Sequence, residues 1–178
     1  MNAPLQDREA ALMGMGDSRL RKEDARFIQG KGNYVDDVKL PGMVFMDIVR
    51  SPLAHARIKA IHKEEALKIP GVLAVLTAED LKPLKLHWMP TLAGDVAAVL
   101  ADEKVHFQMQ EVAVVVAENR YAAADGKEAV QVDYEELPVV IDPVQALTPE
   151  APVLREDLAS KTEGAHGPRN HPNEIFTW

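Results

Sequence analysis

Six histidines are the first residues to test for chemistry: His55, His62, His87, His106, His166 and His171. A helical zinc site needs two of them four positions apart on one helix face, and no pair here has that spacing. His166, His171 and Glu174 can meet in one loop, but the Pro and Gly around them favour a solvated linker. His55 follows Ser51-Pro52, where a turn role outweighs a catalytic one. A Ser–His pair also needs an orienting carboxylate and an oxyanion hole, and the sequence marks neither. The chain has no Cys. Disulfides, thiolate zinc sites, iron–sulfur ligation and thiol nucleophiles are therefore excluded within it.

Two glycine pairs also fail as ligand loops. Gly30-Lys31-Gly32 needs a Gly where Ala25 stands and a Ser or Thr where Gly32 stands, so it reads as a turn. Gly14-Met15-Gly16 has Arg19 in the third glycine position of a dinucleotide fingerprint, and no strand precedes it. The paired carboxylates Asp36-Asp37 and Glu135-Glu136 are adjacent. In an extended segment such neighbours point to opposite faces, so neither pair makes a two-carboxylate acid–base site.

The elements that position these residues follow from periodicity. Met43 to Arg50 is β-branched and aromatic and reads as a strand, stopped by Ser51-Pro52. Ala56 to Ile61 alternates as a half-buried strand. Glu64 to Ile69 suits a short helix closed by Pro70-Gly71. Gly71 to Thr77 is another strand, after which Thr77 caps a helical turn over Ala78 to Leu81. The stretch from Leu84 to Val105 is irregular, with a helical turn predicted at Ala97 to Leu100. Glu111 to Ala117 is apolar on both alternating faces, the pattern of a strand covered on both sides. Asn119 caps a helix over Arg120 to Val130, which presents Ala122, Gly126, Ala129 and Val130 on one face and leaves Lys127 exposed. Gln131 to Glu135 closes the unit as a strand. Residues 1–18 read as a flexible lead-in, and Ser18 to Asp37 as extended segments and turns. Beyond Pro138, prolines and glycines predict an extended segment with one helical turn at Val144 to Leu147.

Hydrophobic residues at 47% and charged residues at 27% are ordinary for a soluble globular domain. Acidic residues outnumber basic ones, 28 to 20, which argues against a nucleic-acid partner. No secretory signal and no membrane-spanning run is legible, so a cytoplasmic location is expected.

The order of five motifs identifies more than any single site does. Arg21 to Val38, Leu40-Pro41-Gly42-Met43 with Ile48 to Ile58, Pro70-Gly71-Val72, Val75 to Leu81, and Val132 to Val140 together resemble the opening of large subunits in the xanthine oxidase family. Leu86 to Val105 and Gly164 to Arg169 with Ile175-Phe176 are similar to its carbon monoxide dehydrogenase branch. The resemblance implies an α+β fold. Residues 19–142 form an a/b hammerhead domain, a mixed sheet with packed helices, and residues 143–178 an extended Pro-rich linker leading to the molybdenum-cofactor-binding domain. It further implies a CO-oxidising molybdenum hydroxylase. Molybdopterin cytosine dinucleotide with Mo and Cu sits on the rest of the large subunit, iron–sulfur clusters on a small subunit and FAD on a medium subunit, in a dimer of heterotrimers. The family's Cys loop, Gly-Gly-Phe-Gly segment and catalytic Glu are expected beyond Trp178, so no catalytic, cofactor-binding or metal-binding residue is carried onto this chain. Two other readings stay open: a non-catalytic assembly domain, and the same family acting on an aldehyde or N-heterocycle. Three positions depart from the family pattern: Met109-Gln110 where Gly-Gln is usual, Gly126 where Ala is usual, and His171-Pro172-Asn173-Glu174 in place of a His-richer run.

Overall fold

The β-branched runs become strands, and two antiparallel sheets result. A computed structural model describes residues 21–86, 98–156, 163–164, 167–168 and 171–174. The expected lead-in at 1–18, His87, His166 and the terminal Ile175-Phe176-Thr177-Trp178 lie outside the described residues. The chain divides into two compact units, residues 1–42 and residues 43–178.

In the first unit, a short helix α1 (Asp24–Phe27) and a 3-10 turn (Val35–Asp37) stand where only extended segments and turns were expected. The Asp37 carboxylate accepts from the Tyr34 N–H at 2.9 Å and caps that turn, so Asp36-Asp37 sit on a helical turn rather than a strand. Gly30 has φ +67°, and Lys31 N–H donates to the Arg26 carbonyl at 2.9 Å. Gly30-Lys31-Gly32 is thus the turn that closes α1, with Phe27 and Tyr34 stacked at 5.5 Å beside it.

The second unit carries β1 (Phe45–Arg50), β2 (Ala56–His62), β3 (Val72–Thr77), α2 (Ala78–Leu81), β4 (Lys104–Val105), β5 (Glu111–Ala117), α3 (Arg120–Ala129) and β6 (Gln131–Glu136). One sheet has the order β1-β5-β3 and the other β4-β2-β6, and the pairings are antiparallel. The α+β hammerhead architecture is as expected, but the single mixed sheet is not. Helix α3 leaves β5 in one sheet and delivers the chain to β6 in the other. The strand–helix–strand unit therefore bridges two sheets instead of forming a parallel crossover within one. A short hairpin pairs β7 (Glu163–Gly164) with β8 (Gly167–Pro168).

Each cap predicted from sequence is present. Asn119 Oδ1 accepts from the Ala122 N–H at 2.9 Å and starts α3. The Asp80 carboxylate accepts from the Thr77 N–H at 2.8 Å and its hydroxyl at 3.0 Å, which fixes α2. Of the helical turn expected at Ala97 to Leu100, Ala97 lies outside the described residues and Val99-Leu100 form a bend instead; β4 is a strand that the irregular stretch concealed. Its formation follows from packing: Ala101 and Val105 are buried with Ala56 and Val112.

The main core lies between the β1-β5-β3 sheet and α3, where Val49, Val75, Ala113, Val115 and Val130 are buried together. Ile61 and Val132 of the second sheet border both this cluster and the one around Ala56 and Val105, so the two sheets share one interior. Strand β5 is central, as expected, but covered unequally. Ala113, Val115 and Ala117 are buried under α3, while Val114 and Val116 are only half-buried. Gly126 explains the closeness of that helix. A Cβ there would stand 2.7 Å from Val115 Cγ1 and 3.0 Å from Val72 Cγ2. Lys127 is not free on the surface. Its Nζ donates to Asp47 Oδ2 at 2.7 Å, and each side chain is about one-third exposed.

Candidate functional site

Among the described residues, a dense polar constellation surrounds Ser51 and His55, in the loop between β1 and β2. The loop is held on two sides. Ser51 N–H donates to the Gln110 carbonyl at 2.9 Å, and Met109 N–H donates to the Ser51 carbonyl at 2.8 Å. Arg50 Nη1 bonds the Met109 carbonyl at 2.8 Å and Glu111 Oε1 at 2.6 Å. On the other side, Leu137 N–H donates to the His55 carbonyl at 3.0 Å. His55 Nδ1 lies 2.6 Å from the Pro138 carbonyl. A carbonyl only accepts, so Nδ1 carries the proton, and in the neutral ring Nε2 is left as the acceptor.

This constellation is not a nucleophile site. The Ser51 hydroxyl is buried and committed to its own turn: it donates to the Leu53 carbonyl at 2.9 Å and accepts from the Leu53 N–H at 3.1 Å. The group that orients His55 is a backbone carbonyl, not the carboxylate that a Ser–His–carboxylate triad needs. His106 stacks on His55 with ring centroids 6.4 Å apart, and the His106 N–H donates to Gln110 Oε1 at 2.7 Å. Tyr134 projects from β6 into the same interior beside Ile58. Burial pushes its phenol pKa up, and the nearby Ser51 hydroxyl offsets this only in part. The His55 turn role expected from sequence thus has a structural form: it fastens the β1–β2 loop to the end of β6.

The remaining histidines lie elsewhere. His62 Nε2 pairs with Asp133 Oδ2 at 2.9 Å across the exposed side of β2 and β6, and that hydrogen bond and charge hold its pKa above the ordinary imidazole value. His171 Nε2 bonds the Thr148 carbonyl at 3.0 Å, while its Nδ1 accepts from the Asn173 N–H at 3.1 Å. Both ring nitrogens are therefore engaged, and the loop serves as a clip rather than a ligand set. The clip centres on Asn173. Its Oδ1 accepts from the Leu154 N–H at 2.9 Å, and its Nδ2 donates to the Ala146 and Pro152 carbonyls at 2.9 and 3.0 Å. Sequence reading passed over Asn173. The signal that marks it is an Asn next to Pro in a segment whose backbone groups have no ladder to join.

Lys104 was also passed over. It is 8% exposed and reaches Glu156 Oε2 at 3.3 Å, which fastens the segment after Pro152 to β4. Glu135-Glu136 sit on β6 as expected, with Glu135 paired to Lys59 at 3.2 Å. No group of three His, Asp or Glu side chains among the described residues stands close enough to hold a metal ion. The chain also offers no Cys thiolate as a copper ligand, and no chemical step is assigned to the described residues. Among the same residues, no helix is long and apolar enough to cross a membrane.

Residues 29–138 match the family model described as aldehyde oxidase and xanthine dehydrogenase, a/b hammerhead domain. The chain is 76% identical, over 100% of its length, to 22% of the carbon monoxide dehydrogenase large chain of Hydrogenophaga pseudoflava. It is 66% identical, over 97% of its length, to 21% of the corresponding chain of Afipia carboxidovorans. A solved structure of reconstituted CO dehydrogenase from Oligotropha carboxidovorans superposes with a TM-score of 0.86 at 66% identity, over 97% of this chain and 22% of that one. The chain thus spans about a fifth of the length of the relatives it matches.

Proposed function

Because the chain belongs to the aldehyde oxidase and xanthine dehydrogenase family through its a/b hammerhead domain, we propose that it is the structural N-terminal part of a CO-oxidising large subunit. The whole enzyme converts CO and water to CO2, two protons and two electrons. When bound, molybdopterin cytosine dinucleotide with Mo and Cu supplies that chemistry on the rest of the large subunit. The electrons pass to iron–sulfur clusters on a small subunit and to FAD on a medium subunit, in a dimer of heterotrimers in the cytoplasm. Residues 1–18 lead in, residues 19–142 form the hammerhead, and residues 143–178 run towards the cofactor-binding part.

One observation carries this reading: identity of 76% to a carbon monoxide dehydrogenase large chain over the full length of this chain. The role of these residues is architectural. His55, Arg50 and Lys104 each fasten a loop or the following segment to the sheets.

The coding DNA beyond Trp178 tests the proposal. It is expected to continue in frame into a Gly-Gly-Phe-Gly segment and a Cys-containing loop. An immediate stop codon would leave a docking domain without chemistry. Continuation without the Cys loop would move the substrate to an aldehyde or N-heterocycle.

A further inference from the structure

We propose that the outer face of the β1-β5-β3 sheet is the docking surface for the part of the large-subunit polypeptide outside this segment; the inference rests on the functional reading above. Two cross-strand rows build that face. Met46 lies opposite Val116 and Val116 opposite Ala74; Ile48 lies opposite Val114 and Val114 opposite Leu76. All six are apolar, and none belongs to the buried clusters that α3 and the second sheet enclose. Alternation puts their neighbours Asp47, Val115 and Val75 on the opposite side, under α3. Met46 is 67% exposed, and Val44 and Leu73 at the same end are each 51% exposed.

An antiparallel sheet that faces water on one side ordinarily carries polar residues there. The second sheet does: Lys59 pairs with Glu135 and His62 with Asp133 on its exposed side. The two rows of the first sheet hold no charged or hydrogen-bonding side chain. Met46 is exposed and the other five are half-buried; the composition is that of a face made to be covered, and apolar surface left open to solvent marks an interface.

The length of the relatives identifies the cover. This chain accounts for 22% of the carbon monoxide dehydrogenase large chain that it matches from end to end, and for 22% of the solved chain it superposes on. Nearly four-fifths of such a polypeptide therefore lies outside this segment, covalently joined to it. A tethered partner acts at high effective concentration, so it occupies the face ahead of a second copy or a separate subunit.

Oxidation of the Met46 thioether by dilute hydrogen peroxide, followed by peptide mass spectrometry, reads the cover directly. The rate is measured in the full-length large subunit purified alone, in the assembled enzyme, and in denaturant. The expected result is oxidation at least about tenfold slower in the large subunit alone than in denaturant, at every protein concentration. A rate within about twofold of the denatured chain overturns the proposal. So does protection that needs the other subunits, or protection that grows with protein concentration as a second copy would require. CO oxidation by the same assembled enzyme separates the two claims. An active enzyme with freely oxidised Met46 sinks the docking surface alone, and an inert enzyme with protected Met46 sinks only the assignment of substrate.

Discussion

The Asp47–Lys127 pair shows how a single contact changes a residue's meaning. Lys127 reads as an exposed helix position, and its replacement by Asp is expected from sequence to cost within about 1 kcal/mol. With Nζ 2.7 Å from Asp47 Oδ2, that substitution instead sets two carboxylates against each other. Both side chains are about one-third exposed, so solvent screens the pair, and Lys127→Asp is expected to cost about 1–2 kcal/mol at low salt and less at high salt. Burial alone would raise the Asp47 pKa, but the hydrogen bonds from Lys127 and the Ile48 N–H, with the Lys127 and Arg50 charges, lower it on balance. A lowered carboxylate pKa contributes stability that is present above the unfolded value and lost as pH falls through the folded one. Urea unfolding across the acid range is therefore expected to show a slope that Asp47→Asn makes shallower, the lowered Asp80 carboxyl keeping the remainder; an unchanged slope contradicts the pairing. Gly126 makes the opposite point. Ala improves helix propensity by about 1 kcal/mol. Its Cβ, however, meets Val115 at 2.7 Å inside a buried cluster, and overpacking of that kind costs about 1–3 kcal/mol. Gly126→Ala is expected to lower stability by about 1 kcal/mol net, read by thermal or chemical unfolding, and a gain would mean that α3 sits further from the sheet than described.

Among the elements, β2, β3, β5, α3 and β6 were legible because each has one unbroken period and a cap or breaker at its end. Asn119 and Thr77 are capping residues by side-chain chemistry alone; Asn119 caps through its own Oδ1, and at Thr77 the Asp80 carboxylate accepts from its N–H and its hydroxyl. What the period of β5 did not reveal is how each side is covered. A run of valines looks the same whether both faces are buried by one protein or one face waits for another. Val115 lies in the core and Val114 on the outer face, so the severe substitution is Val115→Asp and not Val114→Asp. Val115→Asp is expected to cost more than about 4 kcal/mol, and Val114→Asp about half of that or less, in chemical denaturation. Equal costs would contradict the assignment of faces. Strand β4 was missed because its two residues, Lys104 and Val105, have no period to read; their pairing with Ala56 and Arg57 comes from the tertiary contact. The Asn173 clip was missed for a related reason, since three of its bonds reach back 19 to 27 residues. Loss of those bonds in Asn173→Ala is expected to speed amide exchange at Leu154 and proteolysis around it by severalfold, while β5 stays protected. Unchanged exchange at Leu154 would show that the clip does not hold that segment.

For the molecule as a whole, the family was legible in the order of five motifs, and the match to the hammerhead model over residues 29–138 bears it out. The candidate pairs failed on spacing, and in the structure Ser51 is engaged by its own turn, His171 by the Thr148 carbonyl and His55 by the Pro138 carbonyl. The outer sheet face was not legible, because strand pairing has to be known before Met46, Val116 and Ala74 can be placed in one row. We propose this segment as architecture for a CO-oxidising enzyme whose chemistry resides elsewhere in the large subunit. Metal content normalised to protein, measured by elemental analysis on this chain and on the full enzyme after expression with cofactor biosynthesis, tests it most directly. The account predicts stoichiometric molybdenum in the full enzyme, which turns CO into CO2, and none in the 178-residue chain, which does not. Stoichiometric molybdenum on this chain alone, or a full enzyme that carries the metal and leaves CO unoxidised, would contradict it.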